Sequence, residues 1–142
     1  MPTSDSRFSQ CLYFTASSLA RKTEKLAKES WKPLGISPSH GYLLMLTLEE
    51  PGIQPSLIAE QLQLQPSTVT RLLDKLEEMS LVHRITEGKV TSVFPSAKAK
   101  GLHPQMKKSI LAFSENYQRI LGQKESHKLV KAMARIADKL DP

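Results

Sequence analysis

The sequence contains one cysteine, Cys11. It cannot form an intrachain disulfide, and it cannot build a zinc site without three other ligands. The histidines, His40, His83, His103 and His127, are scattered, with no i, i+4 pair and no Glu cluster nearby. No metal and no cofactor are therefore expected. Aromatic residues make up only 6% of the chain, which suits a helical protein better than a β-sandwich. No apolar run reaches 18 residues, so no membrane span is expected. The first ten residues, MPTSDSRFSQ, lack the basic segment and apolar core of a secretory signal, which makes a cytoplasmic location the expectation. No Ser/His/Asp or Cys/His arrangement suggests catalysis. The only glycine–lysine pair, in "EGK", lacks the flanking residues of a phosphate loop. Enzyme activity is not expected.

Basic residues, by contrast, are in excess. The net charge is +6, which permits a polyanionic partner. Its distribution is uneven. Residues 33 to 80 hold Arg71 and Lys75 against Glu49, Glu50, Glu60, Asp74, Glu77 and Glu78, a local charge of −4. Residues 81 to 121 hold seven basic and two acidic residues, a local charge of +5.

A length of 142 residues fits a single domain with a real core. Proline and glycine mark the element boundaries. Helical spacing predicts a first helix from about Ser6 to Lys32, on Phe8, Leu12, Ala16, Leu19, Leu26 and Trp31. A second, Ser39 to Glu50, is apolar nearly all round and so should be buried on several sides. A third, Ser56 to Leu62, is short. In the fourth, Ser67 to Ser80, the residues Val69, Leu72, Leu73, Leu76 and Met79 form one stripe. Ser67, Arg71, Asp74 and Glu78 lie opposite, flanked by Thr68, Thr70 and Lys75. "LVHRIT" and "VTSVF" then read as a hairpin with Gly88 in the turn. Ser96 can cap a long helix, which Pro104 would kink near its start. A last helix should run from about Lys124 to Leu140.

Helix, tight turn, helix and hairpin make a winged helix-turn-helix. The chain is mainly α with a small β-hairpin wing. Such a second helix fits the major groove of B-DNA, with residues near its N-terminus reaching bases and phosphates. Free N–H groups and the positive dipole end add to that fit. Ser67, Thr68, Thr70 and Arg71 are therefore candidate DNA contacts, with Lys75 beside them. Lys89 is the candidate wing-tip cation and Arg84 the candidate at the wing base.

The segment "LGISPSHGYLLMLTLEEPGIQPSLIAEQLQLQPSTVTRLLDKLEEMSLVHR" resembles the core of the MarR-type (multiple antibiotic resistance regulator) transcription factors, and "PSTVTRLLDKLE" is its most specific part. The resemblance implies a homodimer built by residues 1–34 and 96–142, with lobes at 36–95 reading a pseudo-palindromic operator in double-stranded DNA. It also implies a repressor released by a small-molecule or oxidative signal. Three positions differ from the family's pattern. Gln63 stands where the turn usually has glycine, Gln65 stands at the usual cap, and the wing turn is only "TEGK" rather than a longer Asp/Arg-rich loop.

Two sensing sites follow as expectations. "QCLYFTASS" is similar to the start of the organic-hydroperoxide-sensing branch, which makes Cys11 a candidate redox sensor. Thr15 and Lys25 stand where that branch has tyrosines. The alternative for Cys11 is an inert residue in a dimer core. Tyr13, Trp31 and Tyr42 could line a pocket for a small aromatic effector, or simply fill a core. The rival to DNA binding is a winged helix used for protein interaction, motivated by the acidic lobe and the short wing.

Overall fold

The structure, a computed structural model, describes all 142 residues. It divides into two compact units, Trp31–Lys108, and Met1–Ser30 together with Ser109–Pro142. Six α-helices and one hairpin make up the chain: α1 (Leu12–Trp31), α2 (Pro38–Glu49), α3 (Pro55–Leu62), α4 (Pro66–Glu78), β1 (Val82–Glu87), β2 (Val90–Pro95), α5 (Ala97–Leu121) and α6 (Gln123–Leu140). No helix is long and apolar enough to cross a membrane.

Unit Trp31–Lys108 is the winged helix-turn-helix. Its core is Leu43 and Leu44 of α2, Ile58 of α3, Val69, Leu73 and Leu76 of α4, and Leu81 and Val93 around the wing, all essentially buried. The helix starts share one chemistry. Proline opens α2, α3 and α4 at their first helical position, where its missing N–H costs nothing and its φ is already helical. Ser37 caps α2 by accepting the His40 N–H. Thr47, buried in the middle of α2, returns its hydroxyl to the Leu43 and Leu44 carbonyls, so the helix carries no orphan polar group there.

The wing is an antiparallel pair running from Val82↔Pro95 to Glu87↔Val90. Gly88, at φ +63, opens a two-residue turn, which is the position where a hairpin needs positive φ. His83 stacks on its cross-strand partner Phe94 with ring centroids 5.5 Å apart. A third short strand segment escaped the sequence reading. Ile53, between α2 and α3, bridges Val93, with Val93 N–H donating to the Ile53 carbonyl at 3.0 Å. One residue carries no periodicity, so no pattern could announce it.

In the other unit, the first helix starts later than its apolar spacing predicts. Residues 3–5 form one 3-10 turn, and α1 begins at Leu12. Ser6 explains part of this: its hydroxyl accepts the Phe8 N–H at 3.2 Å, a local bond that competes with helix. Thr3 fastens this segment by bonding Ser18 at 2.8 Å and accepting from Lys22 Nζ at 2.7 Å. Helix α5 runs through Pro104, near its start. Pro104 and Lys100 are both exposed, so the Lys100 carbonyl that loses its helical donor can bond water. At its start Ser96 accepts the Ala99 N–H at 3.2 Å and donates to the Ser80 carbonyl at 2.7 Å. Gly122, at φ +91, separates α5 from α6.

Gly41 supplies a stability test. A Cβ there would come within 2.4–2.8 Å of three ring carbons of Trp31, which is only 1% exposed and also meets Tyr42 edge-on at 6.2 Å. The ring has nowhere to retreat. Gly41→Ala should lower unfolding free energy by about 1–3 kcal/mol, the usual cost of overpacking. A urea titration showing no change in midpoint would contradict this packing.

Candidate nucleic-acid interface

The rotation of α4 about its axis decides what it offers. Val69, Leu73 and Leu76 are buried and Leu72 is half-buried, which turns Ser67, Thr70, Arg71, Asp74 and Glu78 to solvent. The first turn has no acidic residue. Gln65 is the N-cap, but its side chain makes no capping bond. Ser67 is thus a first-turn residue rather than the cap, and the helix start keeps unsatisfied N–H capacity beside its hydroxyl.

The other donors are only lightly engaged. Thr70 donates to the Pro66 carbonyl at 3.1 Å, leaving its lone pairs outward. Arg71 reaches back one turn to the Thr68 hydroxyl at 3.4 Å, a long contact that leaves most of its guanidinium donors available. Lys75 lies on the same exposed surface, near His40. Burial, and secondarily the Lys75 charge, hold the His40 pKa below its usual value, so the imidazole stays neutral near pH 7. Ser67, Thr68, Thr70, Arg71 and Lys75 therefore share one helical surface. Lys89 is exposed at the hairpin tip, away from α4 in sequence and with only backbone turn geometry to hold it.

Arg84 has a different setting. It is half-buried, and its Nε donates to Glu77 at 2.7 Å while Nη2 donates to Asp74 at 2.8 Å and pairs with Glu77 as well. Burial alone would lower its pKa, but the hydrogen bonds and charges of the two carboxylates outweigh that and raise it. The sequence reading missed this network because its partners are seven and ten residues away on another element.

The turn between α3 and α4 bears on the interface too. Gln63 takes the left-handed conformation, φ 56 and ψ 44, that glycine adopts most easily. Leu64 N–H closes on the Ala59 carbonyl at 3.0 Å, and the Gln63 amide adds a side-chain bond to Glu60. The turn thus has Schellman geometry without glycine. Ser80, at φ 61, ends α4 in the same way, with Leu81 N–H on the Leu76 carbonyl at 2.8 Å.

Of the remaining sequence candidates, Trp31 and Tyr42 pack against each other. Tyr13 is 82% exposed in the helical unit, Trp31 is packed inside the winged unit, and Tyr42 lies on α2 against Trp31. A cavity of about 210 Å³ lies elsewhere, lined by Tyr117, Gln118, Gln123, Ser126, His127 and Val130. Cys11 is exposed just before α1, and Thr15 bonds its carbonyl rather than its sulfur. No group of three or more His, Cys, Asp or Glu is placed to hold a metal ion.

The α3–turn–α4 pair followed by a two-stranded wing defines a winged helix-turn-helix. Residues 36–87, within this winged lobe, match the model of the MarR family. A curated relative is an HTH-type transcriptional regulator, YybA, of Bacillus subtilis. It is 24% identical over 93 residues, 63% of this chain and 62% of that protein, so the match spans less than two thirds of the relative's length. Two solved structures share the fold over nearly the whole chain. One is the transcriptional repressor CouR bound to p-coumaroyl-CoA, with a TM-score of 0.83, 19% identity, and coverage of 94% of this chain and 96% of that one. The other is MepR of S. aureus in complex with DNA, with a TM-score of 0.79, 16% identity, and coverage of 92% and 98%. CouR is also solved on a 23-mer DNA duplex.

Gln63 generates a prediction. A left-handed residue other than glycine costs about 1–2 kcal/mol, and glycine recovers part of this after its larger entropy loss. Gln63→Gly should raise unfolding free energy by up to about 1 kcal/mol. A lower denaturation midpoint would show that the Gln63 side-chain bond outweighs the backbone strain.

Proposed function

We propose that this protein is a sequence-specific DNA-binding transcriptional regulator that acts as a homodimeric repressor. The observation that carries the reading is the outward face of α4. A family-type winged lobe presents Ser67, Thr68, Thr70, Arg71 and Lys75 on one exposed helical surface, with no acid in its first turn. In this reading the start of α4 enters the major groove and Lys89 at the wing tip meets a phosphate. The structures of CouR and MepR with DNA support the geometry by likeness of fold.

Dimerisation has its own support. In the helical unit Phe8, Leu12, Tyr13, Ile120, Val130, Met133, Ile136 and Leu140 are all exposed, a density of large apolar groups that calls for a cover. Residues 1–34 and 96–142 are the region we assign to that contact. Two copies would place two α4 helices on a pseudo-palindrome about one helical turn apart. A ligand or oxidant would release the operator by favouring a different lobe spacing. A small aromatic effector is one such ligand, and oxidation of the exposed Cys11 is the other route.

The rival, a winged helix that docks on protein, draws on the acidic residues of α4 and the short wing. Salt dependence separates the two. Selection of bound sites from a random duplex pool, followed by a salt titration, should give steeply weakening affinity as counterions are released. No enriched site, or affinity insensitive to salt, would favour protein docking.

Two predictions follow from these assignments. Light scattering at micromolar concentration should give twice the 15.9 kDa chain mass, with an interface on the order of 2,000 Å² or more. A monomer that still binds DNA would refute the dimer. Arg71→Ala should cost about 1–3 kcal/mol of affinity for the selected duplex. Lys89→Ala should cost less and mainly flatten the salt dependence, since a lone tip lysine makes a point-charge contact. Unchanged binding by Arg71→Ala, or a larger loss from Lys89→Ala, would redraw the interface.

A further inference from the structure

Arg84 bridges two elements that a DNA-binding lobe has to hold at a fixed angle. In the hairpin it pairs with Val93, which is fully buried. Cross-strand partners share a face of the sheet, so Arg84 leaves β1 on the inner side, toward the helices. There it meets Asp74 and Glu77, which lie a turn apart along the edge of α4 beside β1. Its side chain is 27% exposed, against 59% for Asp74 and 41% for Glu77. The guanidinium is thus the covered member of the group, and the carboxylates are the open ones.

We infer that Arg84 is a positioning residue and not a DNA contact: it screens the acidic edge of α4 from phosphates and ties the wing to that helix. The inference rests on the DNA-binding reading above and assigns Arg84 a role within it. The geometry favours this over a phosphate clamp. The donors of Arg84 that the structure commits are aimed at two carboxylates, and a phosphate could recruit them only by breaking charge-assisted bonds. Asp74 and Glu77 belong to the same helix as Arg71 and Lys75. Without Arg84 they would leave two unpaired negative charges on the helix that carries those cations, where they would repel an approaching phosphate. Partly exposed ion pairs add little to folding stability, so losing this one should register in DNA affinity rather than in unfolding.

The test is charge-silencing rescue, read on a duplex enriched from a random pool. Arg84→Ala should weaken binding about ten-fold or more, because it uncovers like charge at the interface. Adding Asp74→Asn and Glu77→Gln to Arg84→Ala should restore affinity to within about three-fold of wild type, the non-additivity expected of one network. The salt slope of that triple variant should equal the wild-type slope. Asp74→Asn with Glu77→Gln, leaving Arg84 intact, should free the guanidinium and tighten binding to a random-sequence duplex. A triple variant as weak as Arg84→Ala, with a slope reduced by about 0.9, would mean a direct phosphate contact and overturn the inference. So would an Arg84→Ala variant that binds like wild type. Hydrogen exchange tests the tie without DNA. Amides of β1 and the last turn of α4 should exchange faster in Arg84→Ala than in Lys89→Ala, and equal exchange would refute the tie. If wild type binds no duplex, the DNA-binding reading fails, and the exchange comparison still decides whether Arg84 holds the wing to α4.

Discussion

Burial of Val69, Leu73 and Leu76 holds α4 at one rotation about its own axis, and each such side chain contributes about 1.5–3 kcal/mol. Turning the helix by one residue, about 100°, would bring Thr70 and Asp74 into the core and expose Leu73. The outward set, Ser67, Thr70, Arg71 and Asp74, is therefore the complement of an apolar stripe. Core packing and surface display are one constraint in this helix. Gln63 and Ser80, both left-handed, reverse the chain at its two ends so that α3 and the wing can pack beside it.

Charge is placed with the same economy. The winged unit holds nine basic and seven acidic residues, a nearly even balance. Even so, α4 keeps acids out of its first turn and places Asp74, Glu77 and Glu78 later. A helix macrodipole favours acids near the N-terminus and cations near the C-terminus. This helix keeps Lys75 in its last turn but places its three acids there or just before it, giving up a few tenths of a kcal/mol of local stability. The arrangement leaves the positive end of α4 open to an anion. Arg84, arriving from β1, supplies a cation that bonds Asp74 and Glu77 at the far end.

Much of the fold was legible from apolar spacing. The all-round apolar α2, the stripes of α4 and α6, the proline starts, Gly88 in the hairpin turn and the Ser96 cap all depend on neighbours within four residues, and such rules read directly from a string. The start of α1 was not legible, because apolar residues at helical spacing continue back to Phe8 while Ser6 diverts the backbone into a turn. The Ile53 bridge to Val93 depends on two segments forty residues apart. Among the site residues, the exposed surface of α4 followed from its period. The company of Arg84 did not, since a basic residue at a wing base reads the same whether it faces solvent or two carboxylates.

The sequence by itself determined that this chain makes a winged helix-turn-helix, which helix presents its polar face, and which residues occupy that face. Those properties come from local propensity and the 3.6-residue period, and both act over a few positions. Only the tertiary structure decided that Trp31 fills the space over Gly41, that Tyr42 packs edge-on against Trp31, and that Arg84 is bound to Asp74 and Glu77. Each of these depends on the distance between elements remote in sequence. That distance is set by the whole core packing at once, and no single segment encodes it.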